Sequence, residues 1–308
     1  MTDADLRIVH ITDIHFWHIV WNPFRLLNKR LLGNLNVALR RHREFVISQA
    51  QNYVEVISDL GASAVLITGD LTSTALDEEF SMAHDFLLSL REKGMQIWVL
   101  PGNHDVYTFE SCRKKRFETY LKDFIPPEGY PTTISMNGEK PLLLIPTAKP
   151  NILSARGFVQ PSTITWVAEQ MTSLNKEPIL AAAHYPLLPN TSTYHSAPSH
   201  RLRNADKLRK ALAQSGKRVL YISGHVHRFS FTRDDNYPNL AHLSTGAFLR
   251  HDPDKGTEGE FSEIIFNENE VHVRRHVCKA SHLWTTEEVK SFCDPGVQIN
   301  GCINISPP

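Results

Sequence analysis

The chain is predicted to fold as an α/β protein in which two packed β-sheets are covered by helices on both sides. Three features carry that expectation. Short apolar runs bounded by turn residues alternate with longer segments of helical periodicity through most of the 308 residues. The short runs are nearly continuous in apolar character, which is how strands buried on both faces read. Further strand-like runs follow the last helical segment.

Five runs read as strands: Arg7 to Thr12, Ala64 to Thr68, Gln96 to Pro101, Ile179 to Ala183 and Arg218 to Ser223. Between the first two, Val37, Leu39, Phe45, Val46, Ala50, Tyr53, Val54 and Ile57 recur mostly at three- and four-residue spacing. They predict one long amphipathic helix from Asn36 to Leu60, capped by Gly61. Asp77 to Lys93 carries Phe80, Phe86, Leu87 and Leu90 and ends at Gly94 in the same way. Pro161 to Leu174 and Ala205 to Gln214 supply two more helices. The basic cluster Arg113, Lys114, Lys115 and Arg116, set among Phe109, Phe117, Tyr120, Leu121 and Phe124, reads as a helix with a solvated charged face. Later, Glu263 to Phe266 and Val271 to Arg274 flank a polar turn and look like a hairpin. Thr285 to Glu288 is a capping-box pattern, predicting a short helix that ends near Asp294-Pro295-Gly296. The expected organisation is one domain over 1–280, with an insertion at about 16–43, and a C-terminal extension over 281–308.

At 41% hydrophobic and 21% charged the chain can bury a large core, and its net charge of zero gives no general pull toward nucleic acid or anionic membrane. Cys112, Cys278, Cys293 and Cys302 show no Cys-x-x-Cys spacing, and the first residues lack the basic start and apolar run of a signal peptide. A cytoplasmic location is therefore expected. No stretch approaches the roughly 20 apolar residues of a membrane span.

The strand ends carry the chemistry. Asp13-Ile14-His15 follows the first run, Gly69-Asp70 the second, Gly102-Asn103-His104-Asp105 the third, His184 the fourth and Gly224-His225-Val226-His227 the fifth. In buried parallel sheets ligands collect at the carboxyl ends of strands, so the five blocks should converge on one rim. Any one of the 16 histidines is more often a core or surface residue than a ligand; five blocks placed this way are not. Hydrolysing a phosphoester at neutral pH needs a strong nucleophile and something to absorb charge on the phosphoryl oxygens. Two divalent ions roughly 3.5–4 Å apart can do both. Such a pair needs a bridging ligand, and Asp70 on a tight glycine turn suits it. Carboxylate, imidazole and amide ligands without thiolate favour Mn, Fe, Zn or Mg.

The order of the blocks, D-x-H, G-D, G-N-H-D, H and G-H-x-H, closely resembles the calcineurin-like metallophosphoesterase superfamily. That resemblance implies a four-layer αββα sandwich with two mixed sheets and the metal site at the carboxyl ends of the strands. It implies one metal on Asp13, His15 and His227, a second on Asn103, His184 and His225, and Asp70 between them. It also implies a catalytic His104 that binds no metal, stabilising the transition state or protonating the leaving group, with Asp105 orienting its imidazole. Some superfamily members serve as scaffold subunits, but those have usually lost ligands, and none is lost here.

The stretch from Ile14 to Arg43 holds six basic residues and no acidic one. Phe16, Trp17, Trp21 and Phe24 are expected to overhang the site beside Arg25, Lys29 and Arg30, forming an apolar, positively rimmed surface for a lipid substrate or for peripheral contact with the membrane. The alternative is that these aromatics pack beneath the loop. The insert, with Asn22-Pro23, Asn28-Lys29-Arg30, Gly33 and Ser154-Ala155-Arg156-Gly157, is similar to the chlamydial-type UDP-2,3-diacylglucosamine pyrophosphatases of lipid A synthesis. Hydrolysis of that pyrophosphate is the leading expectation for function. A cyclic-nucleotide or general phosphodiesterase is the alternative enzyme, and a non-catalytic scaffold the alternative of another class.

Overall fold

The computed structural model describes residues 6–19, 42–138, 140–149, 156–266, 270–280 and 282–292. Trp21, Phe24, Arg25, Lys29 and Arg30 of the insert lie outside them, as do the expected end of the C-terminal helix and the uncharged tail.

Two six-stranded sheets form the body of the protein. The first contains β1 (Leu6–Ile11), β2 (Ala64–Ile67), β3 (Gln96–Val99), β12 (Thr257–Phe266), β13 (Val271–Lys279) and β14 (Trp284–Phe292), in the order β14-β13-β12-β1-β2-β3. The second contains β4 (Thr132–Met136), β5 (Lys140–Leu144), β7 (Ile179–Ala182), β9 (Val219–Ser223), β10 (Ser230–Arg233) and β11 (Leu240–Ser244), in the order β10-β11-β9-β7-β5-β4. Both are mixed: β1, β2 and β3 run parallel while β12 joins β1 antiparallel, and β5, β7, β9 and β11 run parallel between antiparallel edges. A two-residue pair, β6 (Gly157–Phe158) and β8 (Leu202–Arg203), stands apart.

Side-chain parity explains the layering, because successive residues of a strand face opposite ways. Leu6 and Ile8 of β1, Ala64 and Leu66 of β2, Leu180 and Ala182 of β7 and Leu220 and Ile222 of β9 all enter one core shared by the two sheets. Val9 and Ile11 of β1, with Val65 and Ile67 of β2, point the other way onto α1 (Ala50–Asp59) and α2 (Asp77–Glu92). Ile179, Ala181, Val219 and Tyr221 likewise face α5 (Pro161–Ser173) and α6 (Ala205–Ala213). Helix, sheet, sheet, helix is the resulting order, and every central strand is buried twice. Pro161 opens α5 at its first turn, and Gly61 and Gly94 follow α1 and α2 in the left-handed region.

Several expectations change. The long helix from Asn36 to Leu60 is not one element: a single turn at His42–Glu44 and a 3₁₀ turn at Ile47–Gln49 precede α1, and Phe45 between them makes an antiparallel bridge to Arg250. That long-range pairing overrides helical periodicity. The basic cluster splits into α3 (Phe109–Arg113) and α4 (Arg116–Tyr120) at Lys115, whose φ is +47°. Its Arg116 is buried rather than solvated, donating to both oxygens of Asp77 and both oxygens of Glu110 at 2.8–3.1 Å. Lys114 pairs with Glu110 as well, which removes much of the positive face. Thr285 to Glu288 is strand, not helix, because β14 pairs along β13. The first sheet therefore runs past the boundary expected at residue 280. Among the described residues no helix is long and apolar enough to cross a membrane.

Leu220 lies fully buried in the layer between the sheets. Leu220→Ala should lower unfolding free energy by about 2–5 kcal/mol in urea titration. A loss under about 1 kcal/mol would show that the two sheets do not share a close-packed interface.

Candidate metal centre

The carboxyl ends of β1, β2 and β3 meet those of β7 and β9, and the loops beyond them are laced together by backbone. Asp13 N donates to Gly69 O at 3.1 Å, His15 N to Asp70 O at 2.9 Å and Phe16 N to Leu71 O at 2.8 Å. Across the sheets, His225 N donates to Asp13 Oδ2 at 2.8 Å and Phe248 N to Thr12 O at 3.0 Å. The approach is so close that a β-carbon on Gly102 would overlap the backbone and carboxylate of Asp70, and one on Gly224 would strike Thr12. Glycine is required at both points for steric reasons.

Asp13, His15, Asp70, His225 and His227 all adopt positive φ, between 52° and 69°. Each such residue costs of order 1–3 kcal/mol, and strain of this kind persists only where surrounding structure over-determines it. Here it turns five side chains toward one space.

Two groups of ligating atoms result: Asp13, His15, Asp70 and His227, and Asp70, His184 and His225. Asp70 belongs to both. Its Oδ2 lies 3.7 Å from His15 Nε2 and 3.5 Å from His184 Nε2, while its Oδ1 accepts from His104 N at 2.7 Å. Asn103 Oδ1 lies 3.1 Å from His184 Nε2, which adds an amide oxygen to the second group.

The imidazoles are oriented from behind. Nδ1 of His15 faces Thr72 O at 3.3 Å, Nδ1 of His184 faces Thr68 O at 2.7 Å and Nε2 of His225 faces Ser199 O at 3.0 Å. A carbonyl only accepts, so these nitrogens carry the protons of the neutral rings, and the opposite nitrogen of each is the one available to a metal. Two pairs of those inward nitrogens stand only 3.1 Å apart, His15 with His227 and His184 with His225. Asp13 Oδ1 is buried without a hydrogen bond, 3.1 Å from His227 Nε2. Paired imidazole nitrogens at this separation and an orphaned buried carboxylate oxygen are what a divalent cation would satisfy, so the residues fit a metal pair.

Burial opposes the charge on His184, but Asp70 and Asp13 raise its pKa to about 9. Burial likewise works against the Asp70 carboxylate, which His184, His104 and His15 hold well below its ordinary range. His225 is driven down to about 3 by burial and by the charge on His184. Metal binding would displace the His184 proton.

His104 sits at the mouth of the centre. Its Nδ1 faces Ser73 O at 2.7 Å, its ring stacks on Tyr107 at 5.4 Å, and it meets His15 edge-on at 5.0 Å. Asp105 was expected to orient that imidazole. Instead its buried carboxylate accepts from Gly102 N at 2.8 Å, Thr72 N at 2.9 Å, Leu71 N at 3.3 Å and Thr72 Oγ1 at 3.0 Å. It braces the loops that carry Asp70 and Asn103 against each other, and the Ser73 carbonyl holds the ring.

The aromatic expectation also changes. Phe16 is a core residue, 4% exposed and in ring contact with Phe86, because its backbone is zipped to Leu71 and Thr72. Trp17 is half-buried and donates its indole N–H to Phe45 O at 3.1 Å. The aromatic walls that touch ligands are others: Phe45 packs on His15 and His227 at 4.7 and 5.9 Å, and Tyr185 on His225 at 4.1 Å. Neither is singled out by the sequence, since each lies outside the ligand blocks or just after one.

Beside Tyr185 the β6 and β8 pair places Arg156 and Arg201 next to one another, each immediately preceding its strand. Both act electrostatically on the buried Tyr194 hydroxyl, and Nε of Arg201 is buried without a hydrogen bond. Ser199, two residues before Arg201, is the partner of His225. No local pattern announces this pair, because 45 residues separate its members.

Residues 6–229 match the sequence model of the family described as calcineurin-like phosphoesterase. Over 74% of this chain and 73% of its own length, a glycerophosphodiester phosphodiesterase from Enterobacter lignolyticus is 24% identical. A probable cyclic nucleotide phosphodiesterase from Psychrobacter arcticus is 27% identical over 73% of this chain and 75% of its own. In structure, a dimetal phosphatase from Danio rerio superposes with a TM-score of 0.62 at 14% identity, covering 92% of this chain and 98% of that one. A purple acid phosphatase from yellow lupin seeds gives 0.60 at 14% identity, covering 94% and 53%. At such identities these structures establish the shared fold. With a family match across most of its length, the chain is a phosphoester hydrolase and belongs to the calcineurin-like phosphoesterase family.

Proposed function

We propose that the chain is a two-metal hydrolase of phosphodiester or pyrophosphate bonds, with Asp13, His15 and His227 on one ion, Asn103, His184 and His225 on the other, and Asp70 bridging. The observation that carries this reading is Asp70 Oδ2 lying within 3.7 Å of an imidazole nitrogen from each group. The names of the two sequence relatives, both phosphodiesterases, favour a diester or anhydride over a monoester. Bound ions would supply an acidified water and neutralise the phosphoryl oxygens. The rest falls to the chain itself. The carbonyl-held tautomers keep lone pairs directed inward. His104, held at Nδ1 by Ser73, offers Nε2 to the phosphoryl or leaving oxygen.

For the substrate we propose UDP-2,3-diacylglucosamine or a close relative, hydrolysed at its pyrophosphate at the cytoplasmic membrane surface, with Mn the favoured metal. Arg156 and Arg201 beside the centre supply charge for a second phosphate. Trp21, Phe24, Arg25, Lys29 and Arg30 supply the acyl-binding surface; Phe16 does not. The second reading is a cyclic-nucleotide phosphodiesterase, favoured by the Psychrobacter relative.

Three measurements test these assignments. Asp70→Asn should lower hydrolysis of a chromogenic diester by several orders of magnitude and reduce bound metal by elemental analysis; full metal content would remove Asp70 from the bridge. His104→Ala should lower kcat by roughly 10²–10⁴-fold with both metals retained. Loss of a metal would make His104 a ligand. Trp21→Ser combined with Phe24→Ser should raise KM for the diacylated nucleotide sugar while leaving turnover of the small diester unchanged. Trp17 is left intact because it is tied to Phe45. Equal losses on both substrates would end the lipid reading, and activity on a cyclic nucleotide with none on the sugar would favour the second.

A further inference from the structure

A separate cluster of ligating side chains lies where the C-terminal hairpin meets α1. Glu258, Cys278 and His282 each offer one ligand atom, and the three atoms lie within 4.8 Å of one another. They reach that point from three different backbone settings. Cys278 is an interior residue of β13 and is fully buried. Glu258 is the extra residue of a β-bulge, since the pairing of β12 with β13 shifts between Thr257 and Gly259. Bulges re-aim a side chain that regular pleating would turn away. His282 occupies the turn into β14 at φ +56°, a conformation that residues with a β-carbon rarely adopt. Two departures from regular backbone thus bring a carboxylate and an imidazole to one thiol.

The local hydrogen bonds leave that arrangement unfinished. Oε2 of Glu258 is buried and accepts no hydrogen bond, although His282 Nδ1 stands 2.7 Å from it. The neighbouring Tyr53 hydroxyl donates to the backbone carbonyl of Glu258 at 2.9 Å, so it does not satisfy the carboxylate. The thiol makes a weak contact to Lys279 O at 3.7 Å. Burial raises the Cys278 pKa, opposed by the hydrogen bond of the Tyr53 hydroxyl and helped by the Glu258 charge, so without a cation the group stays a thiol. Rings seal the inner side: Trp284 pairs with Cys278 across the strands and packs on Tyr53 at 4.8 Å and Phe261 at 4.9 Å.

A thiolate with an imidazole and a carboxylate is a donor set for Zn²⁺ and a poor one for Mg²⁺ or Ca²⁺. We propose that Cys278, His282 and Glu258 bind one Zn²⁺ ion, with water in the fourth position, and that this ion fastens the turn between β13 and β14 onto β12. On binding, the Cys278 thiol releases its proton to solvent and His282 ligates as the neutral imidazole. The ion is distinct from the proposed pair, whose ligands include no sulfur.

That chemical difference supplies the test. Co²⁺ added to the reduced, full-length protein should produce a thiolate-to-cobalt charge-transfer band in the near ultraviolet, which the paired centre cannot give. The band should persist in Cys112→Ser and vanish in Cys278→Ser. Because Cys278 is a core residue, the exposed His282 provides the variant that leaves folding alone: His282→Ala should weaken the band's Co²⁺ affinity by roughly tenfold or more, as loss of even an indirect metal partner does. It should also reduce the Zn²⁺-dependent rise in Tm while diester hydrolysis stays at the parent rate. Absence of the band in the parent protein, its survival in Cys278→Ser, or unchanged affinity in His282→Ala would each overturn the proposal.

Discussion

The arrangement of the protein depends on keeping two carboxylates charged where water does not reach. Asp13 and Asp70 are both buried, and the charge of each disfavours the other. Removing a carboxylate from water costs several kcal/mol even after relaxation, so the fold must return that energy through close polar partners. Imidazoles from both sheets do so here, and they can reach because two parallel-stranded sheets end at the same rim. The left-handed backbone at five ligand residues is intelligible in the same terms. A strand continuing straight would carry each side chain past the carboxylates, and a reversal of φ turns it in.

Much of the site was legible because ligand chemistry is local. Each block follows an apolar run, and in three of the five a glycine, Gly69, Gly102 or Gly224, marks the strand end as well. The layers were legible for the same reason, since continuous apolar runs such as Ile179 to Ala183 have no polar face to expose. What failed were features settled by partners far away in the chain. Phe45 fits a helical period, yet its backbone bridges Arg250 and its ring closes over His15. Thr285 to Glu288 carries a good helix start, yet β13 offers a full row of backbone partners. Arg116 looks solvated until Asp77, 39 positions earlier, is brought against it. Phe16 follows a ligand and was read as overhanging it, but the zipper between the first two loops turns it inward.

The division between chemistry and selectivity follows that line. The residues able to hold metals sit in short contiguous blocks, and a family can be recognised from them. The side chains around those blocks, Phe45, Tyr185, Arg156 and Arg201, are contributed by separate connecting segments. They are joined only by tertiary contact: Tyr185 lies against Gly157 and His225, and Arg201 follows the segment whose carbonyl orients His225. Reaction class is therefore readable at a glance and substrate is not.

The hydrogen bond from the Trp17 indole to the Phe45 carbonyl has a geometric corollary. Phe16 is bridged to Thr72 and Phe45 to Arg250, so both margins of the intervening stretch are pinned within a few ångströms of each other, next to His15. A segment closed at its neck behaves as a tether. Lengthening it adds little closure entropy, since that cost grows only with the logarithm of length. Such a neck lets the connection between its two margins change in length and composition without moving His15, which Phe45 covers.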